Sequence, residues 1–370
     1  MAEVVEITCL KELKSHRLAW NALLPQTPGA SLPNTCAWLE SYWQHFGRGQ
    51  RLRVLVIRSH GKTIGIVPLC VRTERYHLGS VRVLGYAMRD WGTSCGAIGP
   101  NQTASLLMAM QHIQRTPQDW DLLDLRWLAA GPDKNNPVRL AIKAAGWAPQ
   151  QSAYRQVSVI RFADSDWPSY RAQLSKKWGQ EIGRLSRALP RDYALTFERH
   201  RPSGTAHGDN DPRWDLYDAC VQIAQQSRQG DSTTANALCH SDERAFLRDC
   251  HGIAAHLGML DVAVLKLDGK PAAFQYNYHY DGRLQGLQMG FDRQYGGQGV
   301  GSVLMSQLIE DSFTRGDRNL DLCKGELDFN RRFRSGVETS YRYSCYPWTA
   351  WRSQGVRLSR WIKQRTSAAS

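Results

Sequence analysis

Two stretches of the chain show the same pattern of apolar and polar positions. Residues 52–72 (LRVLVIRSHGKTIGIVPLCVR) and 260–283 (LDVAVLKLDGKPAAFQYNYHYDGR) each contain an alternating apolar run, a Gly-Lys turn and a second run that starts with small residues. Alternation with period two is typical of strands, and glycine tolerates the positive φ of a tight turn, so each stretch predicts a β-hairpin. A predicted helix precedes each hairpin, at about 34–46 and 241–257. We interpret this as a weak internal repeat.

Further runs continue the pattern in the first half of the chain. Residues 81–87 and 120–128 predict strands, with a helix at about 104–115 between them. A second helix at about 137–145 leads into a strand at about 152–162. Because strands and helices mix throughout, we expect a layered α/β (α+β) fold.

The second half adds a basic helix and a polar loop. Residues 167–190 predict one helix, which we expect Pro190 to end. Residues 198–213 are rich in Gly, Pro, Asp and Asn and predict a loop. The halves are expected to meet near 162–166.

Length, charge and composition limit the classes to which this protein can belong. A chain of 370 residues has room for two domains, and its net charge of +13 indicates an anionic partner. The nine cysteines contain no C-x-x-C pair, and the histidines show no metal-ligand spacing, so we predict free thiols and no metal. The chain shows neither a signal peptide nor an apolar span, so we expect a cytoplasmic protein with at most peripheral membrane contact.

The segment that carries chemistry is residues 286–316, GLQMGFDRQYGGQGVGSVLMSQLIEDSFTRG. An apolar strand ends near Met289, a Gly-rich loop follows, and a helix is predicted from about Ser302 to Arg315. The unpaired N–H groups of a helix start favour a phosphate group, and glycines let the backbone approach it. A Walker loop is excluded because no G-K-[ST] is present, and a dinucleotide site is weakened because no acidic residue follows at the expected distance.

This loop resembles the acyl-CoA pyrophosphate loop of the GNAT superfamily, whose pattern is R/Q-x-x-G-x-G/A. Two registers are open. One places Gly299 and Gly301 on the pattern with Gly296 at the R/Q position, and the other uses Gln294, Gly297 and Gly299. The resemblance implies a tandem of GNAT-like domains, each with a mixed, twisted sheet flanked by helices.

The wider chain resembles the CelD-like acetyltransferases of cellulose and exopolysaccharide synthesis, which are related to the FemAB-like transferases. The similarity lies in residues 174–187, in 226–230, which are like an S-W-K-G segment, and in 321–332, which are like D-x-x-x-G-x-x-x-Y-K. In the first half it lies in Trp38, Pro68-Leu69, Asp90 and Trp120-Asp121. We expect an N-terminal domain at 1–163 without the Gly-rich loop, a donor-binding domain at 164–347 and a basic, Trp-containing tail at 348–370.

The resemblance implies direct attack of an acceptor on a thioester carbonyl, which requires a general base but no covalent enzyme intermediate. The catalytic candidates are Asp321, Glu326, Tyr276 and Asp292. Alternatives stay open: Asp321 could bond the turn at Gly325, Asp292 could cap the loop, and Tyr276 could belong to the core.

The loop and its surroundings supply the binding candidates. Those expected to bind the donor are Gln294, Gly297, Gln298, Gly299, Val300, Gly301 and Ser302. Those expected to bind substrate or its anionic groups are Ser227, Arg228, Lys324, Arg331 and Arg332.

These observations predict an acyltransferase that moves an acyl group from acetyl-CoA, another acyl-CoA or an acyl carrier protein to an amine or hydroxyl. Partners in polysaccharide synthesis are expected from the resemblance, and DNA is not. Two alternatives remain: a FemAB-like aminoacyltransferase that uses aminoacyl-tRNA, and a non-catalytic GNAT-fold protein that binds or scaffolds. The acceptor, the acyl chain length and the oligomeric state cannot be read from the sequence.

Overall fold

The computed structural model of the chain describes residues 2–77, 79–88, 95–129, 136–227, 237–322 and 327–368. Of residues 327 and 363–368 only the backbone is described. The chain forms two compact units. The first consists of Met1–Gln156 and Thr339–Ser370, and the second of Val157–Glu338.

The first unit is built on an antiparallel meander with one parallel strand added. Strands β1 to β4 pair antiparallel in chain order, and β4 then pairs parallel with β5. The strands are β1 (Ala2–Ile7), β2 (Arg51–Ser59), β3 (Lys62–Tyr76), β4 (Gly79–Tyr86) and β5 (Leu122–Leu128). The helices are α1 (Leu10–Leu13), α2 (Arg17–Leu23), α3 (Cys36–Phe46), α4 (Gln102–Arg115) and α5 (Pro137–Ala144).

The second unit repeats this order of strands. Strand β6 (Gln150–Arg161) leads into it, and β7 to β10 pair antiparallel in chain order before β10 pairs parallel with β11. The other strands are β7 (Leu195–His200), β8 (Leu260–Leu267), β9 (Lys270–Tyr280), β10 (Arg283–Phe291) and β11 (Asn319–Asp321). The helices are α6 (Trp167–Gln173), α7 (Lys176–Asp192), α8 (Trp214–Gln226), α9 (Ser241–Leu257), α10 (Val300–Arg315) and α11 (Leu327–Phe333).

The two predicted hairpins are confirmed as β2–β3 and β8–β9. Their turns are His60-Gly61 and Asp268-Gly269, and all four residues have positive φ, between 49° and 76°. A two-residue turn with both central residues at positive φ matches the right-handed twist of the strands that it joins. The internal repeat read from the sequence is therefore a repeat of the sheet topology.

The last strand of each sheet comes from the other half of the sequence. Strand β12 (Gly336–Cys345) pairs antiparallel with β5 of the first unit, and β6 pairs antiparallel with β11 of the second. Helix α12 (Trp351–Ala368) follows β12, and its Val356 is buried against β4 and β5. Each half of the sequence therefore contributes one strand to the sheet that the other half mainly forms.

Two local predictions were wrong. The single helix expected at 167–190 is interrupted at Leu174, which is extended, and Ser175 caps the second helix by accepting the N–H of Trp178. Pro190 does not end α7, because it lies exposed near the last turn and the helix continues to Asp192. The start of the loop expected at 198–213 is strand β7 as far as His200, since it pairs with β8.

Within the described residues, no helix is long and apolar enough to cross a membrane. The same residues contain no cluster of three or more His, Cys, Asp or Glu side chains that could hold a metal ion.

The strand exchange makes the first unit dependent on the end of the chain. Asp124 of β5 is fully buried, and it is bonded by Ser344 of β12 and by Arg360 of α12. We predict that a chain ending at residue 335 loses about 3–5 kcal/mol from the stability of the first unit, because a buried charge loses partners.

Hydrogen exchange of the amides of β4 and β5, compared with those of β8 and β9, measures this loss. A chain ending at residue 362 keeps β12 and most of α12 and serves as the control. Equal protection of β4 and β5 in both truncated chains would contradict the prediction.

Candidate functional site

Asp292 holds the turn that follows strand β10. Its carboxylate accepts hydrogen bonds from the backbone N–H and from the side-chain amide of Gln294, both at 2.9 Å. Its backbone N–H donates to Ala272 at 2.9 Å, and its carbonyl accepts from Tyr295 at 3.1 Å. Since both carboxylate oxygens are bonded within the loop, the structure favours the capping role of Asp292 over the catalytic role.

Two glycines give the loop its course. Gly297 and Gly299 have φ values of 82° and 73°, in the left-handed region that residues with a Cβ rarely adopt. A Cβ on Gly299 would also lie 2.5 Å from Cδ1 of Leu185 on α7, whereas a Cβ on Gly297 would meet nothing within 4 Å. Gly299 is therefore required both by its backbone conformation and by its contact with α7.

The geometry separates the two registers of the loop pattern. The last position of the pattern accepts alanine, so it needs negative φ and room for a Cβ. Gly301 meets both conditions, because it is helical and a Cβ would lie 3.8 Å from its nearest neighbour, Phe291. Gly299 meets neither. The register with Gly299 and Gly301 fits, and it leaves Gly296 at the position where the pattern has Arg or Gln.

The start of α10 presents free N–H groups. The N–H groups of Ser302 and Val303 already donate to the carbonyl of Gly299, at 2.9 and 3.0 Å. Among the described residues, the N–H groups of Gly297, Gly299, Val300 and Gly301 have no hydrogen-bond partner. Together with the helix dipole of the 16-residue α10, they form a surface that favours an anion.

A pocket of about 390 Å³ opens beside this turn. Its lining on β10, from Met289 to Phe291, lies beyond the last parallel pair of β10 with β11, which joins Gln285 and Asp321. Most of its lining is apolar and comes from three helices and two strands. The lining residues with apolar side chains are Trp178, Leu185, Phe274, Met289, Phe291, Tyr295, Val300, Leu304, Met305 and Phe329.

The β9 wall of the pocket is anchored to a buried ionic cluster. Gln275, which lines the pocket, donates to Asn277 at 2.8 Å, and Asn277 donates to Asp261 at 2.9 Å. Burial would raise the pKa of Asp261, but Arg199 and Arg201 lower it to about 2. The carboxylate therefore stays charged, and the polar chain fixes the position of Gln275.

Of the two predicted arginines that the structure describes, only Arg332 lines the pocket. Its guanidinium lies 4.8 Å from the ring centre of Trp178, and both residues line the pocket. Arg331 is 64% exposed at its side chain and lies 3.8 Å from Asp328. Arg332 is the only cation in the described lining of the pocket, which also includes Ser227.

The structure does not bring Tyr276 to the pocket. Tyr276 is 1% exposed, and its hydroxyl lies 2.8 Å from Nδ1 of His251, within a cluster that includes Tyr217 and Tyr278. Burial raises its pKa well above 10 and lowers that of His251 to about 4. A neutral His251 therefore accepts from the Tyr276 hydroxyl and donates through Nε2 to Pro212. This arrangement favours the core role for Tyr276.

The structure describes some of the remaining predicted site residues and leaves others outside the described ranges. Asp321 ends β11, opposite Gln285 of β10 and Val159 of β6. Gln294 and Gln298 belong to the loop but not to the described lining of the pocket, which contains the remaining five predicted donor residues. Arg228, Lys324, Glu326 and Asp90 lie outside the described residues.

Sequence reasoning missed the contribution of α7. Trp178, Glu181 and Leu185 line the pocket at spacings of three and four residues, which places them on one helical face. The hydrogen bond from Arg184 lowers the pKa of Glu181. The signal in the sequence was the recurrence of large apolar residues every three or four positions along this basic helix, which indicates a buried face.

Comparison with known families now adds to this geometry. Residues 176–331 match the model of the acetyltransferase (GNAT) domain family. This segment of the chain is therefore similar to the GNAT domain family. The matched segment covers α7, the loop, α10 and α11. No curated protein sequence matches the chain.

Solved structures share the fold of this chain over nearly its whole length. FemX superposes with a TM-score of 0.62 at 9% identity, covering 93% of this chain and 97% of that chain. The C-terminal domain of a putative lysylphosphatidylglycerol synthetase from Agrobacterium fabrum gives 0.55 at 12% identity, covering 93% and 95%. L-PGS from Bacillus licheniformis gives 0.51 at 12% identity, covering 90% and 97%. The predicted fold class, a mixed α/β fold with GNAT-like units, is confirmed.

The two glycines of the fitted register make a matched pair of variants. We predict that Gly299→Ala lowers the free energy of unfolding by about 1–3 kcal/mol, since it combines unfavourable φ with a clash against Leu185. Gly301→Ala should change stability by about 0.5 kcal/mol or less. Urea unfolding of both variants measures the difference. Equal effects of the two substitutions would show that the turn is not held as described.

Proposed function

We propose that the GNAT domain binds the phosphates and the acyl arm of acyl-CoA, or of an acyl carrier protein, and transfers the acyl group to an amine or hydroxyl. The observation that carries this proposal is the set of four free N–H groups at the start of α10, beside a largely apolar pocket. The N–H groups suit phosphate oxygens, and the pocket suits an uncharged arm of the donor. Arg332 adds a cation that Gly296 does not provide.

Besides binding the donor, the protein must supply a general base for the proposed reaction. The acceptor attacks the thioester carbonyl, a base removes the acceptor proton, and the thiolate of the donor leaves. Asp321 and Glu326 remain the proposed bases, and Asp321 ends β11, where it pairs with Gln285 of β10. Replacing the base should lower kcat by about 10²–10⁴-fold while leaving donor binding intact.

From the resemblance to the CelD-like branch, we propose that the acceptor belongs to exopolysaccharide or cell-envelope synthesis.

A second candidate function is aminoacyl transfer from aminoacyl-tRNA. Two observations favour it: the net charge of +13, and Gly296 at the position where the CoA pattern has Arg or Gln. Binding of tRNA would fall steeply with salt because it depends on phosphate contacts, which distinguishes it from binding of CoA in the pocket.

Neighbouring arginines provide the test of the donor site. Arg332→Gln should weaken binding of CoA and acetyl-CoA by about 10–100-fold, since it removes a charge-assisted contact. Arg331→Gln, which changes the adjacent exposed residue, should leave binding unchanged. Isothermal titration calorimetry measures both, and release of free thiol in the presence of amines measures transfer.

Two outcomes would contradict the proposal that the acyl donor binds beside α10. One is that the unaltered protein binds neither CoA nor acetyl-CoA, and the other is that both arginine variants lose binding equally. If the protein binds aminoacyl-tRNA in a salt-sensitive manner and does not bind CoA, the second candidate function is favoured instead.

We also propose that α12 makes peripheral contact with an anionic membrane surface. Trp351, Leu358 and Ile362 fall at i, i+7 and i+11, so they share a face, and they are 69%, 56% and 48% exposed. Ser353 and Val356 on the opposite face are buried. Arg352 and Arg357 flank the apolar face, and residues 346–370 contain no acid. An exposed apolar face between cations is the pattern of interfacial helices.

Co-sedimentation with vesicles tests the membrane contact. The protein should bind phosphatidylglycerol vesicles more strongly than phosphatidylcholine vesicles, and the double change Trp351→Ser and Leu358→Ser should reduce binding about 10-fold or more. Leu18→Ser, at an 85% exposed position in α2, is the control. Binding that is unaffected by the double change would refute the contact.

A further inference from the structure

The first unit has a pocket at the same point of the sheet as the donor pocket of the second. There, β4 runs parallel to β5 for two residue pairs, which end at Leu84 and Leu123. A pocket of about 540 Å³ follows, lined by Tyr86 at the end of β4, by Met88 after it, and by Asp124, Arg126 and Trp127 of β5. The repeat has therefore kept the crevice between its parallel strands in both units.

The chemistry of this second crevice is different, because its floor is charged. Arg72 donates to Glu74 at 2.7 Å, and Arg126 donates to Glu74 and to Asp124, both at 2.6 Å. Asp124 also accepts from Arg360. Burial would raise the pKa of Glu74, but Arg72 and Arg126 lower it to about 2, so it stays charged.

Positive charge exceeds negative charge in the described lining of this pocket, which contains Arg48, Arg72 and Arg126 against the carboxylates of Glu74 and Asp124. Arg342 and Arg360 do not line the pocket, but they add two guanidinium groups at 3.5 and 3.1 Å from Asp124. A surplus of partly buried positive charge is unfavourable unless an anion neutralises it. Arg48, an exposed residue on the wall of the pocket, makes no ion pair with any described residue.

The unused polar groups of the pocket are donors. The carboxylate oxygens of Glu74 accept from Arg72, Arg126 and Tyr76, and those of Asp124 from Arg126, Arg360 and Ser344. In contrast, Nη1 of Arg126 and the buried hydroxyl of Tyr86 have no partner among the described residues. A ligand that fits must therefore supply acceptors, as a carboxylate or phosphate does.

The walls of the pocket are aromatic. They include Tyr42, Phe46, Trp127 and Tyr154. Trp127 has φ of 62°, which is rare for a residue with a Cβ, and it lies where the pairing of β5 with β12 shifts register. Such a conformation persists only where the surroundings hold it, and it places the ring in the wall of the pocket. Aromatic walls around a charged floor suit a compact ring compound that bears an oxyanion.

We propose that the first unit binds a small ring compound with a carboxylate or phosphate group, such as a sugar acid or a sugar phosphate, in the crevice between β4 and β5. This site is independent of the proposed acyl transfer. It uses residues of the first unit alone, and its ligand is recognised by Arg126, Arg48 and Tyr86.

Calorimetric titration of the full chain with glucuronate, glucose 6-phosphate and glucose tests the site. Saturable binding of at least one of the anions is expected, with neutral glucose binding about 10-fold or more weakly. The two anions distinguish a carboxylate from a phosphate ligand. Arg48→Gln and Tyr86→Phe should each weaken binding of that anion by about 5–30-fold.

Two controls separate this site from general charge and from the donor site. Arg115→Gln changes an exposed arginine on α4 that does not line the pocket, and Arg332→Gln changes the donor pocket, so neither should affect binding of the anion. Tyr86→Phe removes a hydroxyl that has no partner among the described residues, so its unfolding transition should not be lowered.

The proposal is overturned if neither anion binds at millimolar concentration, or if glucose binds as well as the anions do. It is also overturned if Arg48→Gln and Tyr86→Phe leave binding of the anion unchanged. None of these outcomes bears on whether CoA binds beside α10.

Discussion

The proposed donor site depends on one close contact, between Gly299 and Leu185. The chain must leave β10, turn through two left-handed residues and start α10 directly against α7. No side chain fits between the turn and α7, so the backbone N–H groups of the loop remain exposed at the pocket. If a side chain forced the helices apart, the free N–H groups and the apolar pocket would no longer lie side by side.

The same contact explains why α7 belongs to the site. Leu185 limits the turn, while Trp178 and Arg332 stack at the opposite side of the pocket. The buried face of α7 therefore serves both the core of the second unit and the wall of the pocket. A residue with both roles cannot change size without affecting both the core and the pocket.

The two units show how one topology carries two kinds of chemistry. Each has a meander followed by a parallel strand, and each opens a crevice where the parallel pairing stops. In the second unit the crevice is apolar and borders free backbone N–H groups, and in the first it has arginines, carboxylates and aromatic rings. The crevice follows from the sheet, whereas the side chains that line it decide what it can bind.

The sequence alone determined the elements whose cause is local. The hairpins at His60-Gly61 and Asp268-Gly269 and the loop before α10 were predicted, because positive φ and short-range alternation leave direct marks on residue type. Only the tertiary structure decided which of these groups meet. In the structure, Tyr276 lies in a core cluster and Asp292 bonds within the loop. Helix α7 lines the pocket, and β12 pairs with β5 of the first unit. These outcomes depend on contacts between residues far apart in the chain, and neither periodicity nor spacing records such contacts.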